Sequence, residues 1–306
     1  MVRDSAGYLG GVLGLLNNLF LGVPIFFFMS GYLIWYSVQN NDAPTYFKKR
    51  FFRIYPELWV AVIVEMIVLL QLYTQPVPLK DILLFSFTQG TLFQFWTPDS
   101  LRGYGNGTPN GALWTITVIV QFYVVAWFLY RFLKKRKFGT WILALIISIA
   151  VSVGLNRVEG LIPEVLFKLI RNSFVPYMWL FIAGAFVARY ADRALPALKK
   201  YWWAFIAVAV LLIISHLDIA GVYYPIFKSL AVGCGFIGMA YRYPKINIPV
   251  DFSYELYLYH VTVVNAMLTL GYTGKIDDLF IVFAISICLA VISKETVGRI
   301  GTKKVQ

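Results

Sequence analysis

Charge is what this sequence has little of. Only 14% of its 306 residues are Asp, Glu, Lys or Arg, where soluble domains carry roughly 25%. Acidic residues are the scarcer kind, 15 against 27 Lys and Arg, which leaves a net charge of +12. In a soluble protein that excess would point to nucleic acid. In a chain that is 59% hydrophobic it reads first as topology, because Lys and Arg collect in cytoplasmic loops. No nucleic-acid partner is therefore expected; membrane lipids and an anionic cofactor are. Cysteine is scarce too. Cys234 and Cys288 both lie in apolar runs and read as buried thiols rather than a disulfide or a metal site. The two histidines are His216 and His260, and no ligand cluster has metal-binding spacing, so no metal is expected. The sequence also shows no repeat, no low-complexity tract and no soluble domain. Residues 1–19 hold the apolar run GYLGGVLGLL but not the basic start and small-residue cleavage site of a signal peptide.

What the chain does have is long apolar runs, with a mean hydropathy of +0.71. A membrane span takes about 20 mostly apolar residues. Candidates are 20–38, 57–73, 112–133, 140–155, 174–190, 202–216, 225–241, 252–271 and 278–293. The fold class expected is all-α: a polytopic transmembrane bundle of about nine spans, read as one integral-membrane domain over 1–306. The run 81–96 is apolar as well, but counting it as a span spoils the charge pattern, so it reads as re-entrant or interfacial. With 39–56 placed inside, 19 of the 27 Lys and Arg fall on the inner side. That bias predicts an outside N-terminus and a cytoplasmic C-terminus in a multi-pass cell-membrane protein. The outer segment 74–111, rich in Gly, Pro, Asn and Thr, reads as a loop of a size to touch an acceptor.

The densest charge lies in YFKKRFFRIYP, Tyr46 to Pro56. As a helix, it puts Phe47, Phe51, Ile54 and Tyr55 on one face and Lys49, Arg50 and Arg53 on the other. Pro56 fits the first turn of a following span. Two readings stand. One is an interfacial anchor whose basic face holds phospholipid head groups. The other rests on Arg50 and Arg53 at i and i+3, whose side-by-side guanidinium forks suit a phosphate or diphosphate, such as that of a coenzyme A thioester.

VPIFFFMSGYLI (23–34), followed by FKKRFFRIYPELW (47–59), resembles the signature of the acyltransferase-3 family, integral-membrane O-acyltransferases that modify cell-surface polysaccharides and related glycans. LWTITVIVQFYVV (113–125), FSYELYLYHVTVV (252–264) and ISKETVGR (292–299) resemble further family blocks, in the expected order over nearly the whole chain. The resemblance implies an acyl-CoA donor, most often acetyl-CoA, and a glycan or glycolipid acceptor. It also implies a paired-arginine motif that matches Arg50 and Arg53, which favours the phosphate reading. It implies ten spans with both termini inside. Two departures follow. The family's first span, with an Arg and a His, has no counterpart here, which predicts either a late start or a degenerate member. The Glu five residues after the family's Trp is Ile119 in this chain.

Ionisable groups at membrane depth default to functional candidates. His260, about eight residues into its span from the inner side, is the catalytic candidate, since a neutral imidazole suits a general base; the alternative is a hydrogen bond between helices. Glu65, about as deep, reads as pairing with a cation or accepting from a Tyr. His216 reads as interfacial. Candidate site-lining residues are Ser30, Trp114, Gln121, Tyr123, Tyr254, Glu255 and Glu295, with packing or loop charge as the plainer role for each. The function expected is acyl transfer, acetyl foremost, from acyl-CoA to a glycan or glycolipid hydroxyl. Its rivals are a truncated or inactive member and a transporter of polysaccharide intermediates, against which the sequence lacks inverted repeats and paired broken helices.

Overall fold

The computed structural model describes residues 21–243, 251–272 and 276–298. Both termini, whose sides the charge count predicts, lie outside the described residues, as do Arg3, Lys245, Lys275, Arg299, Lys303 and Lys304. Among the described residues the regular structure is helical, and a single isolated β-bridge joins Ala220 and Pro225. In chain order the helices are α1 (Gly22–Gln39), α2 (Ala43–Leu72), α3 (Leu79–Gln89), α4 (Trp114–Leu133), α5 (Phe138–Arg157), α6 (Glu164–Arg171), α7 (Met178–Arg189), α8 (Ala191–Ser215), α9 (Ile226–Arg242), α10 (Ser253–Thr269) and α11 (Ile276–Ser293), with a π-helical turn at Lys294–Gly298.

Every candidate span has a helix. Among the described residues five helices are long and apolar enough to cross a membrane, or six if the bent pair α6–α7 is counted as one span. The count of nine is not established by that measure. α1, α9 and α10 are 18, 17 and 17 residues long, so at 1.5 Å per residue they reach about 26 Å against a hydrocarbon core of about 30 Å. In the most apolar windows of α5, α8 and α11 only 17%, 11% and 17% of residues are buried. Such broad bare apolar faces are rare on soluble proteins and suit lipid.

Three expectations need correction. The basic amphipathic helix is not separate from the span after it: α2 runs 30 residues straight through, with Pro56 inside it rather than at its start. Phe47 and Phe51 are exposed while Tyr46 and Ile54 are buried, so the aromatic face splits between core and surroundings. Cys288 is exposed, whereas Cys234 is largely covered; both are free thiols. The run 81–96 begins in α3, whose 11 residues make about 16 Å, too short to cross.

The chain forms two compact units. The second holds α1, α5 to α9 and most of α4. Its seams are packed by small residues where helices cross closely. A Cβ on Gly31 would lie 2.1 Å from the Phe181 carbonyl oxygen, and one on Gly184 would lie 1.9 Å from that of Phe28, so α1 and α7 meet backbone to backbone. Around that crossing, Phe122 stacks on Phe181 at 4.6 Å and Trp35 packs edge-on against Trp141 at 4.8 Å.

The first unit holds α2, α3, the loop up to the start of α4, α10 and α11. It has two chemically different ends. At one end the middle of α2, the start of α10 and the turn after α11 meet through charged side chains. At the other, the loop 99–113 is pinned to α10 by asparagines. The buried Asn265 accepts from the Asn106 N–H at 3.0 Å and donates to the carbonyls of Thr108 (2.8 Å) and Pro109 (2.7 Å). Asn110 donates to Leu258 O at 2.8 Å. Arg53 and Leu72 are 19 residues apart on α2, about 28 Å, close to the thickness of a bilayer core.

Candidate active site

The site is built in the first unit from its charged end inward. Arg50 and Arg53 share a face of α2, as their spacing dictates. Arg50 lies over the Tyr46 ring at 5.6 Å and Arg53 over the Tyr254 ring at 5.9 Å, and the Tyr254 hydroxyl donates to Ile54 O at 3.1 Å. Arg53 also faces Asp251 at 3.6 Å, and its side chain stays 44% exposed, so its fork is accessible to a further anion. Asp251 accepts from the Ser253 hydroxyl at 2.7 Å and from its N–H at 3.1 Å. The Ser253 hydroxyl, helped by Arg53, holds the Asp251 carboxyl below the ordinary carboxylate value.

Beneath this pair lies a cluster that sequence reasoning missed. Lys294 Nζ sits 2.9 Å from Glu255 Oε1 and 3.4 Å from Glu57 Oε1. Glu57 and Glu255 are buried and the Lys294 side chain is 13% exposed. Glu255 thus engages Lys294 rather than the arginines. Glu295, its neighbour on the π-helical turn, is half-buried and is not the residue that closes the cluster. A Cβ on Gly298 would come 2.5 Å from Glu57 Oε1 and from Lys294 Cδ, so a larger residue there would have to push the ion pair aside. The signal available in the sequence was a Lys and two Glu near predicted span ends; their convergence comes from the pairing of α2, α10 and α11.

His260 lies one and a half turns further along α10 than Tyr254, about 9 Å in axial rise. Its Nδ1 lies 2.8 Å from the Tyr257 carbonyl oxygen. A carbonyl only accepts, so Nδ1 is the donor in this contact and Nε2 is the ring nitrogen left for another partner. The same turn is tied to the start of α4. The Tyr257 hydroxyl is 2.5 Å from Thr115 Oγ1 and also donates to Ala112 O. Trp114, half-buried, opens that helix, so the tryptophan block and the histidine turn meet within one unit. Five residues of α-helix put His260 about 140° round α10 from Glu255, on a different face from the carboxylate cluster.

The remaining candidates belong to the second unit. Both ends of the Gln121 amide are taken up by the break between α6 and α7: Nε2 donates to Asn172 O at 3.1 Å and Oε1 accepts from the Phe174 N–H at 2.9 Å. That is a clip on a 50° bend. Tyr123 is buried, and Ser30 is half-buried beside the Gly31 crossing. Ile119 is 3% exposed, so an apolar side chain fills the position where the resembled family carries a carboxylate. His216 caps α8 in the left-handed conformation, exposed, as an interfacial residue would be.

The sequence profile of the acyltransferase domain family matches residues 4–294. The chain belongs to that family. Among curated proteins, Nodulation protein 10 of Rhizobium leguminosarum bv. viciae is 27% identical over 83% of this chain and 74% of its own length. The peptidoglycan O-acetyltransferase OatA of Listeria monocytogenes is 30% identical over 43% of this chain and 23% of its own length. No solved structure matches the chain. The expectation of an O-acyltransferase is thereby borne out, and the bare apolar helices fit an enzyme of the membrane. The first unit therefore carries both the arginine pair, Arg50 and Arg53, and the His260 imidazole. Among the described residues no group of three or more metal-ligating side chains gathers.

Proposed function

We propose that this acyltransferase takes an acyl group, acetyl foremost, from an acyl-CoA at the charged end of its first unit and transfers it to a hydroxyl of a cell-surface glycan or glycolipid. Support for the donor side comes from Arg50 and Arg53. They share a face of α2 three residues apart, the Arg53 side chain is 44% exposed, and planar guanidinium pairs are the side chains best matched to diphosphate. The charged end, in this reading, faces the cytoplasm, where the donor is made; the loop end faces outward. The acceptor class draws on the Listeria relative, whose name gives peptidoglycan as what it acetylates.

In the transfer step the acceptor hydroxyl oxygen attacks the thioester carbonyl. The new C–O bond forms, the C–S bond breaks, and the hydroxyl proton passes to Nε2 of His260 and from there to the departing thiolate of CoA. The observation that carries the assignment of His260 is the contact of its Nδ1 with the Tyr257 carbonyl, which leaves Nε2 for another partner. The test is transfer of radiolabelled acetyl from acetyl-CoA into the glycan and lipid fractions of host membranes. Arg53→Ala removes about 1.5–3 kcal/mol of charge-assisted hydrogen bonding, so the KM for acetyl-CoA should rise roughly ten- to a hundredfold. Label that is absent above empty membranes would instead favour an inactive member, and label unaffected by Arg53→Ala would remove the arginines from the donor site.

A further inference from the structure

At the loop end of the first unit there is a cavity of about 540 Å³ lined by Leu72, Tyr73, Thr74, Gln75, Gly103, Gly105, Leu268 and Thr269, within the size range of small-ligand sites. None of these lining residues is charged, which argues against a phosphate or a carboxylate as the occupant. They offer hydroxyl and amide groups, and Tyr73 adds an aromatic ring beside two glycines where main chain comes to the surface. Gly105 has φ +56°, and a Cβ there would fall 2.4 Å from the Asn265 amide; a Cβ on Gly103 would fall 2.5 Å from the Tyr73 hydroxyl. Thus the wall is kept bare by backbone geometry and by close packing. Neutral hydroxyl and amide donors with one ring for the apolar face of a pyranose is the chemistry that recognises an uncharged sugar.

The cavity has a polar group beneath it. Glu65 lies seven residues before Leu72 on α2, on the same helix face and about 10.5 Å deeper. It is 1% exposed, and neither carboxylate oxygen has a hydrogen-bond partner among the described residues. The buried Tyr104 hydroxyl also lacks one, and its ring packs edge-on against Tyr73 at 5.8 Å. Burial, and then the charge of Glu65, push the Tyr104 phenol up to about 12, so it remains a hydrogen-bond donor at neutral pH.

We infer that this cavity is the subsite for an uncharged sugar of the acceptor glycan, held by its hydroxyl and amide groups and by the Tyr73 ring. The inference rests on the proposed glycan acceptor and adds where that acceptor sits, at the opposite end of the unit from the arginines. Two variants probe it. Thr74→Trp, at an exposed lining position, fills the cavity, and Tyr73→Ala removes the ring. Both should raise, at least tenfold, the amount of host envelope glycan needed for half-maximal labelling, and both should leave the KM for acetyl-CoA within twofold. Unchanged acceptor dependence in both variants, or a rise in the donor KM instead, overturns the inference. A second readout does not depend on turnover. With Cys234 and Cys288 replaced by Ala, Thr269→Cys is reacted with a membrane-impermeant maleimide, with and without neutral oligosaccharides released from the host envelope. Protection supports the subsite, even if the protein transfers no acetyl and the proposed function fails. Labelling at the same rate with and without oligosaccharide overturns it.

Discussion

Replacing Lys294 by Met removes the ammonium that Glu57 and Glu255 share. The three side chains are close to fully covered: 13% exposed for Lys294, 7% for Glu57 and 0% for Glu255. Removing one partner of such a buried pair leaves its counter-charge without compensation, at a cost of about 3–5 kcal/mol. That is a fall in the folded-to-unfolded ratio of roughly two to three and a half powers of ten. Side chains this buried are screened little by salt, so high salt should recover little. The assay is urea unfolding of detergent-solubilised protein followed by tryptophan fluorescence. The decisive comparison is a triple variant, Lys294→Met with Glu57→Gln and Glu255→Gln, in which the stranded charges are also gone. It should regain most of the loss and end within about 1–2 kcal/mol of the parent, because a buried ionic network replaced by neutral groups of like volume is often close to neutral. A loss below about 1 kcal/mol for the single variant, or a triple variant no more stable than the single, would refute the reasoning.

Other perturbations separate the parts of the fold. Asn265→Ala takes away three hydrogen bonds to the loop 106–109 and leaves buried backbone groups unmatched; a loss of about 2–4 kcal/mol is expected, read as faster proteolysis of that loop at unchanged thermal stability of the second unit. Gly184→Val forces a side chain into the Phe28 carbonyl, so α1 and α7 should part, and the protein should fail to give a monodisperse peak on gel filtration while Gly184→Ala shows a milder version of the same defect. The depressed Asp251 carboxyl stabilises the fold at neutral pH, where it is ionised in both folded and unfolded chains. That contribution is lost as the pH falls through the ordinary carboxylate range to the folded value below it. Stability should therefore drop on acidification below about pH 4, and Asp251→Asn should flatten that part of the profile.

The sequence by itself determined what composition and periodicity can encode. Sparse charge with long apolar runs required helices in a bilayer, because an unpaired backbone is too costly in lipid. The spacing of Arg50 and Arg53 placed them on one helix face whatever the surroundings, since 3.6 residues per turn is a local property. The ordered motif blocks were enough to point to the family. What only the tertiary structure decided depends on which helices become neighbours. Lys294 stands 237 residues from Glu57, and nothing in the local pattern of either says that α2, α10 and α11 bring them together. Gln121 looked like a pocket-lining amide until the break between α6 and α7 was seen to consume both its ends. The continuity of α2 through Pro56 was likewise hidden, because proline's local preference for a helix start gave way to the packing of a 30-residue helix. The sugar-sized cavity could not be foreseen at all. It is made by a glycine loop, two helix ends and three asparagine hydrogen bonds, and a space between elements has no residue of its own in the sequence.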